Sequence, residues 1–327
     1  MRKLITSLNP QLPKPTAVGQ LVWRSCVLCL LLAVLLWAPP HCAAAERDDG
    51  MPKLFRSGFL QSVFSNIDPR DAKAVLEVHG RKIANELKIN ITDRVVMFKS
   101  LKLMVDAIRK GELELVSIPS SEYLSIRKTV PLIPSFVGTN GTSPGNHFVV
   151  ITRRDSGIRS FSDLRGKSIM LPPASIYEPG HLWLDVLLLR AGKDGRDTFF
   201  SKVMESPKIT KAVMGVFFRQ VDAAIVTRSG LEISQQLNPQ LETQLTVLAE
   251  SPNLSDFVVC MNPTTSENFR SKLSNALIRL NESKSGQQLY VIFQTKGIMP
   301  FKPEYLEGLE GLRLEYDRLV AKKTKRI

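Results

Sequence analysis

Residues 147–171 read HFVVITRRDSGIRSFSDLRGKSIML, and this stretch decides how the rest of the chain is interpreted. Its first six residues form an apolar run that is typical of a buried strand. A D-S-G turn follows, and then a short amphipathic segment at 160–164 that a serine can cap. Gly166 is expected to end that segment in the left-handed conformation. Residues 168–171 then begin a second strand.

The N-terminus differs from the rest of the 327-residue chain, whose length suits two lobes better than one core. Residues 1–24 carry basic side chains and no acid, 25–37 are almost wholly apolar, and 43–45 are three alanines. This pattern predicts a secretory signal over residues 1–45 that is cleaved on export. An uncleaved membrane anchor remains the alternative, although the apolar core of about 13 residues is short of the roughly 20 that span a bilayer.

Three of the four cysteines, Cys26, Cys29 and Cys42, lie within the predicted signal. Only Cys260 remains after cleavage, so no internal disulfide is expected. Cys260 sits in the apolar run FVVCM, where a buried and inert thiol is the simplest interpretation.

The charge pattern favours anionic partners but not nucleic acid. All but four of the 44 Lys and Arg residues, and all 31 acidic residues, lie beyond position 45, so this part is still net positive. The basic residues are dispersed, apart from a terminal cluster at 322–326. No ribbon of alternating aromatic and basic residues is present, so no nucleic-acid partner is expected.

Strand-like and helix-like segments alternate along the chain, which predicts parallel, doubly wound sheets. The expected strands are 54–59, 94–98, 113–118, 130–137, 147–152, 168–171, 199–204, 221–227, 245–249 and 257–261. The expected helices are 69–87, 101–109, 120–127, 179–191, 208–219, 229–237, one or two within 266–293, and 303–319.

Four segments in order carry a resemblance to a known family. Residues 101–123 form a helix–Gly–strand unit that ends at a tyrosine, and 147–171 contain D-S-G-I and L-R-G-K. Residues 171–179 read LPPASIYEP, and 220–224 read QVDAA. Together they resemble the phosphate, phosphite and phosphonate substrate-binding proteins of ABC transporters, over about residues 55–299.

The resemblance implies an α/β chain with the two-lobed fold of a type 2 periplasmic binding protein. Each lobe would be a mostly parallel sheet flanked by helices, and two hinge strands would join the lobes. Lobe 1 would comprise 46–152 with 253–327, and lobe 2 would comprise 153–252. Such a monomer would close on a small anionic ligand, a phosphate- or phosphonate-like oxyanion, and deliver it to an ABC transporter permease. Neither a cofactor nor a metal is implied.

Ligands are expected beyond the carboxyl ends of the strands, with oxyanions held by helix N-termini and hydroxyl groups. The candidate ligand-binding residues are Ser62, Asn66, Ser120, Ser121, Tyr123, Ser175, Tyr177, Lys208, Thr210 and Arg228. Each has a plainer alternative. The serines could be helix caps, the tyrosines could pack in the core, and the charged residues could be solvated.

The chain departs from the family at the turn that holds the phosphonate. The family has Ser-Thr-Ser-Gly where this chain has Ser-Ile-Tyr-Glu, so only Ser175 matches, and Glu178 would repel an anion unless it points away. Thr210 and Arg228 stand where aminophosphonate binders carry acids, so a ligand amine is not expected. A planar carboxylate or sulfonate held by Arg228 or Lys208 remains an alternative ligand.

No enzyme is expected, because the chain shows no H-E-x-x-H, G-x-S-x-G, Walker or paired-cysteine motif. Two alternatives to transport remain. One is a ligand-sensing module that feeds a membrane receptor through the same closure. The other is an enzyme on this fold with Tyr177 and Lys208 as acid and base, which turnover would reveal.

Overall fold

The structure is a computed structural model that describes residues 51–324, apart from 53, 65–66, 87–91, 142, 194 and 294. The predicted signal at 1–45 and the candidate residue Asn66 therefore lie outside the described residues. The described residues build two β-sheets with helices packed on both faces of each. The α/β architecture that the sequence predicts is thus confirmed.

The first sheet has the strand order β11-β4-β10-β3-β1-β2. Its strands are β1 (Leu54–Leu60), β2 (Thr92–Phe98), β3 (Leu115–Pro119), β4 (Ile133–Thr139), β10 (Phe257–Met261) and β11 (Gly297–Pro300). The second sheet has the order β7-β6-β8-β5-β9. Its strands are β5 (Phe148–Arg153), β6 (Ser168–Leu171), β7 (Lys202–Glu205), β8 (Ala223–Thr227) and β9 (Leu245–Glu250).

Both sheets are mixed: four of the six described strands in the first sheet and four of the five in the second run in one direction, and the others run against them. β1 is parallel to β2 and β3, and β6 is parallel to β7 and β8. By contrast, β10 is antiparallel to β3 and β4, and β5 is antiparallel to β8 and β9. A parallel neighbour requires a crossover connection within the same sheet. β5 and β10 instead arrive directly from the other sheet, so they run against their neighbours.

The chain crosses between the sheets at 140–147 and again at 251–256, and the two crossing segments are paired. Asn146 and Leu254 exchange two backbone hydrogen bonds, each 2.9 Å long. Gly145 has a φ of 72°, and a Cβ there would lie 2.1 Å from the Leu254 carbonyl oxygen, so this approach requires glycine. Because β5 already belongs to the second sheet, the predicted boundary after residue 152 falls too late.

Eleven α-helices lie in the described part of the chain. They are α1 (Pro69–Glu86), α2 (Leu101–Arg109), α3 (Ser120–Ile126), α4 (Ala174–Arg190), α5 (Arg196–Phe199), α6 (Ile209–Phe217), α7 (Arg228–Leu237), α8 (Gln240–Gln244), α9 (Glu267–Leu280), α10 (Lys284–Ile292) and α11 (Glu307–Thr324). Short 3-10 turns occupy Gln61–Phe64, Arg154–Ser156, Phe161–Leu164 and Pro303–Leu306.

The largest error in the helix predictions concerns α4, which begins at Ala174 rather than at Pro179. Its first turn leads into Tyr177, whose φ and ψ of −112° and 36° are not helical, and Pro179 follows inside the helix. Proline lacks the N–H that a helix interior needs, so the sequence pattern pointed to a start at Pro179. A smaller error concerns the strand expected at 199–204, because Arg196–Phe199 is helical and β7 begins at Lys202.

The C-terminal helix α11 packs on the second sheet's core, although residues 253–327 were assigned to lobe 1. Leu309 and Leu312 are buried in the same cluster as Trp183 of α4. The Arg190 guanidinium of α4 donates two hydrogen bonds of 2.7 Å to Glu315 of α11. Because the buried leucines of α11 pack against the core of the second sheet, this helix belongs with the second lobe.

Candidate functional site

A pocket of about 160 Å³ is lined by residues from both sides of the crossing segments. Thr139, Asn140, Asn146, Thr295 and Lys296 come from the end of β4, the first crossing segment and the loop before β11; Tyr177, Thr227, Ser229, Gly230 and Ile233 come from α4, β8 and α7. This is the edge at which the sequence predicts a ligand, because β8 ends here and α7 begins.

The N-terminus of α7 forms one wall of the pocket. Thr227 is the N-cap residue, and its Oγ1 accepts a hydrogen bond of 3.2 Å from the Gly230 N–H. The Arg228 N–H donates to the His147 carbonyl oxygen at 2.7 Å. Ser229, which lies between Arg228 and Gly230, lines the pocket. Its N–H and hydroxyl group lie where the helix dipole favours negative charge.

The opposite wall carries Lys296, an exposed residue of the pocket lining. Two neighbouring hydroxyl groups are held by the backbone. The Thr139 Oγ1 donates to the Ser143 carbonyl oxygen at 2.8 Å, and the Thr295 Oγ1 donates to the Thr139 carbonyl oxygen at 2.8 Å. These threonines therefore shape the wall, and the lysine ammonium group supplies its positive charge.

Tyr177 lines this pocket and also lies near Asp256 of the second crossing segment, which belongs to a second, acidic part of the boundary between the two sheets. Its ring packs edge-on against Phe148, with 6.0 Å between the centroids. Burial, together with the charge of Asp256, raises the pKa of the Tyr177 hydroxyl, which therefore keeps its proton at neutral pH.

The acidic part contains Glu122 of α3, Glu178 of α4 and Asp256 of the second crossing segment. Each has one buried carboxylate oxygen without a hydrogen-bond partner among the described residues: Oε2, Oε2 and Oδ1 respectively. The other oxygen of Asp256, Oδ2, accepts a hydrogen bond of 2.6 Å from the Asn146 Nδ2. The charge of Glu178 acts on Glu122, and the Ser120 N–H at the start of α3 donates to the Asp256 carbonyl oxygen, so we call these three residues the acidic cluster. Unpartnered carboxylates at this place disfavour an anion.

Burial is the main reason why the carboxyl groups of the acidic cluster hold their protons more tightly than usual. It raises the pKa of Asp256 to about 7, against the opposing effect of the Asn146 hydrogen bond. Burial also raises the pKa of Glu122, with the charge of Glu178 adding to it. For Glu178, burial outweighs the lowering effects of a hydrogen bond with Ser121 and of the Arg313 charge.

The predicted site residues are spread over several environments. Ser62 is exposed in its 3-10 turn, and Lys208 and Thr210 are exposed at the start of α6. Tyr123 is buried in the core of the first sheet. Of Ser175 the structure describes only the backbone, which lies in the first turn of α4. Among the predicted residues whose side chains the structure describes, Tyr177 lines the pocket.

Ser120 and Ser121 begin α3 but do not act as its N-cap, because that position belongs to Pro119. The buried Ser120 Oγ donates to the Ser255 Oγ at 3.0 Å, and the Ser120 N–H donates to the Asp256 carbonyl oxygen at 2.9 Å. Ser121 contacts Glu178 of the acidic cluster. Both serines thus lie against the second crossing segment or α4.

Arg228 is already paired. Its Nε donates to the Glu250 Oε1 at 3.2 Å, and its Nη2 forms an ion pair with Oε2 of the same carboxylate. This contact is the first cause of the lowered pKa of Glu250. The fork geometry that suits a ligand carboxylate is therefore taken up by a residue of β9.

Sequence reasoning missed the pocket residues Thr227, Ser229, Thr295 and Lys296. A signal existed for the first two, because a threonine directly after a buried strand is a strong N-cap candidate. No local signal existed for Thr295 and Lys296. Their position follows from β11 lying beside β4, which brings residues 156 positions apart into hydrogen-bond contact.

Two further features concern what the described residues lack. None of their helices is long and apolar enough to cross a membrane. Within those same ranges, no group of three or more His, Cys, Asp or Glu side chains is arranged to hold a metal ion. Cys260 is buried in β10 as a free thiol, and burial raises its pKa.

Comparison with solved structures supports the fold. XAC2383 from Xanthomonas citri, bound to ATP, is 17% identical with a TM-score of 0.57, over 83% of this chain and 99% of that one. PhnD1 from Prochlorococcus marinus, in complex with methylphosphonate, is 16% identical with a TM-score of 0.51, over 82% and 99%. A binding protein component of an ABC phosphonate transporter from Pseudomonas aeruginosa, PA3383, is 14% identical with a TM-score of 0.51, over 81% and 87%.

Comparison with curated protein sequences gives no match. A family model described as the periplasmic substrate-binding protein of the ABC phosphonate transporter matches residues 62–306, which is more than half of the chain. The protein therefore belongs to the periplasmic substrate-binding proteins of ABC phosphonate transporters, the components that bind a solute and deliver it to the transporter.

Proposed function

We propose that this protein captures a small oxyanion in the pocket at the N-terminus of α7 and presents it to an ABC transporter permease. The observation that carries the proposal is that one pocket joins a helix N-terminus on one side to a lysine on the other. In the proposed complex the Ser229 N–H and hydroxyl, the Tyr177 hydroxyl and the Lys296 ammonium group donate hydrogen bonds to the ligand.

These donors suit an oxyanion energetically. A hydrogen bond to a charged group contributes roughly 1.5–3 kcal/mol, against about 1 kcal/mol for a neutral one. The dipole of α7 adds about 0.3–1 kcal/mol for a negative charge near its first turn. Phosphate, phosphonate, sulfonate and carboxylate groups all match this donor set, and the size of the pocket favours a compact ligand.

The proposal moves the ligand away from the turn at Ser175, where the family resemblance places it. The acidic cluster lies next to that turn, and its carboxylates repel an anion or must bind protons before one enters. In this arrangement Ser120, Ser121 and Tyr123 serve the structure of lobe 1. Arg228 fixes the start of α7 through Glu250 and does not contact the ligand.

The remaining parts of the proposal concern export and motion. Cleavage after residue 45 would release a monomer into the periplasm, where the lobes would close on the ligand about the paired segments at Asn146 and Leu254. The chain acts by binding and carries out no catalysis. A membrane receptor could use the same closure, and binding of the loaded protein to a transporter permease distinguishes the two roles.

A ligand screen tests the function directly. Purified protein is heated with phosphate, phosphite, methylphosphonate, ethanesulfonate or acetate, and positives are titrated by calorimetry. We expect at least one oxyanion to raise the melting temperature, because a ligand at a hundred times its Kd adds about 2.7 kcal/mol. N-terminal sequencing of exported protein checks the cleavage. No shift in melting temperature with any of these five anions would contradict the proposal.

A further inference from the structure

A second cavity lies inside lobe 1 and shares no lining residue with the pocket at the start of α7. It measures about 80 Å³ and sits between the first sheet and the helices α1, α9 and α10. The sheet side is formed by residues of one face, such as Phe55 and Leu115, and the helix side by residues such as Leu280 and Leu289. One water needs only about 10–15 Å³, so the cavity has room for a larger occupant.

Small residues at the boundary of these two layers account for the space. Ser57 of β1 and Ser117 of β3 lie on the same face of the sheet, and Gly80 of α1 lines the cavity from the helix side. Interior packing is normally dense enough to leave few voids larger than a water molecule. A large side chain at any one of these three positions would reduce the space.

One polar group in the cavity has no partner. Tyr290 of α10 lines the cavity and is 3% exposed, and its hydroxyl is buried without a hydrogen bond among the described residues. A buried hydroxyl without a hydrogen-bond partner is destabilising, so a ligand that accepts its proton gains affinity. His79 lies nearby, but its ring nitrogens are already placed against the Val75 and Ser285 carbonyl oxygens, at 2.8 and 2.6 Å.

We propose that this cavity binds a small, neutral, mostly apolar molecule with one hydrogen-bond acceptor, which receives the Tyr290 hydroxyl proton. Apolar burial by the surrounding phenylalanine and leucine side chains supplies the affinity, and the hydroxyl selects for the acceptor. No Asp, Glu, Lys or Arg side chain of the described residues lines the walls, so a neutral ligand is favoured over a charged one. An engineered apolar cavity of ~150 Å³ holds benzene, so the occupant here is somewhat smaller.

A matched pair of probes tests the proposal. Acetone and isobutene have nearly the same shape and the same number of heavy atoms, but acetone has a carbonyl oxygen where isobutene has a methylene group. Each is titrated into protein with labelled Ile, Leu and Val methyl groups, and the shifts of Ile83 and Ile298 in the cavity are followed by NMR. Ile151 and Ile225 of the second sheet are the controls. We expect acetone to bind about fivefold more tightly, as a hydrogen bond of about 1 kcal/mol implies.

Two variants complete the test. Tyr290→Phe should bind both probes equally, and Ser117→Leu should bind neither, because the larger side chain fills the cavity. If Tyr290→Phe folds poorly, Ser117→Leu still tests whether the probes bind in this cavity. Equal affinity of the wild type for both probes would overturn the role of Tyr290. Absence of shifts at Ile83 and Ile298 with either probe would show that the cavity holds water only and would overturn the proposed site.

Discussion

The two parts of the boundary between the sheets that Tyr177 adjoins look alike in backbone and differ in charge. Each has a helix that begins after a parallel strand, α4 after β6 and α7 after β8. The start of α4 lies beside the acidic cluster, whereas the start of α7 faces Lys296. A helix N-terminus therefore does not define an anion site by itself. The charges placed opposite it decide which ion the site takes.

The same comparison separates two kinds of electrostatic behaviour. In the acidic cluster, buried carboxyl groups oppose ionisation, so their energetic effect depends on pH. At the start of α7, the pocket lining instead combines Lys296 with the hydroxyl group and N–H of Ser229. The pH dependence of stability should therefore come from the acidic cluster, and the affinity for the anion from the start of α7.

The largest expected effect comes from Asp256→Asn. The pKa of Asp256 is about 7 in the folded state against an ordinary 3.8, so the wild type loses stability as pH rises between these values. The loss is about 1.4 kcal/mol per pH unit in that window. Asparagine mimics the protonated carboxyl group, so the variant should lack this slope. Urea unfolding at pH 5, 6, 7 and 8 measures it.

Asp155→Asn is the control for that experiment. Asp155 is an exposed carboxylate paired with Arg153 and Arg219, and its pKa is lowered to about 2. Its contribution to stability is present above its ordinary pKa and is lost only in more acidic solution, so the slope between pH 5 and 8 should not change. Equal slopes in wild type and Asp256→Asn would remove the buried carboxyl group from the account.

The next largest effect is expected from Ser229→Asp. An acid in the first turn of α7 stabilises the helix by about 0.3–1 kcal/mol, so the melting temperature should hold or rise. The same charge should weaken oxyanion binding at least a hundredfold, because it replaces a donor and repels the ligand. Ser271→Asp, on the exposed face of α9, is the matched control. Calorimetry with undiminished affinity in Ser229→Asp would place the ligand elsewhere.

A smaller effect is expected from Lys296→Ala. Loss of one charge-assisted contact from an exposed side chain should weaken anion binding about tenfold, toward the lower end of the usual range. Lys302→Ala controls for the change in net charge, since Lys302 lies outside the pocket lining and near Glu304. An equal loss of affinity in both variants would indicate general charge attraction without a specific contact.

The smallest effect on binding is expected from Arg228→Ala. The guanidinium group is held by Glu250, so its removal should change the affinity less than threefold, and an ion pair that is about one-third exposed contributes roughly 0–1 kcal/mol to stability. Titration of Arg228→Ala with the anion tests two alternatives. In the structure Arg228 is held by Glu250, whereas the sequence-based hypothesis places it in contact with the ligand. A thirtyfold loss would return Arg228 to the ligand site.

The sequence predicted the fold well because the fold depends on local patterns. Alternating apolar runs and caps gave the strands and helices, and α2 was placed at Leu101–Arg109 as found. The start of α4 was missed because Pro179 reads as a first residue and stands instead inside the helix. The antiparallel direction of β5 and β10 was not predicted, because it depends on where the chain crosses between the sheets, which no local pattern records.

The site was harder to predict because it depends on contacts between distant residues. The pairing of Arg228 with Glu250 joins the start of α7 to the end of β9. Lys296 reaches the pocket because β11 lies beside β4. A resemblance to a family directs attention to Ser175, but the charges that surround that turn come from α3 and the second crossing segment.

The position of the bound anion tests the central claim most directly. A crystal structure of the protein grown with methylarsonate, an analogue of methylphosphonate, would locate the arsenic atom by its anomalous signal. The account predicts one peak in the pocket, with ligand oxygens in hydrogen-bond contact with the Ser229 N–H and the Lys296 ammonium group. A peak at the first turn of α4 beside Ala174, or an empty pocket at saturating methylarsonate, would contradict it.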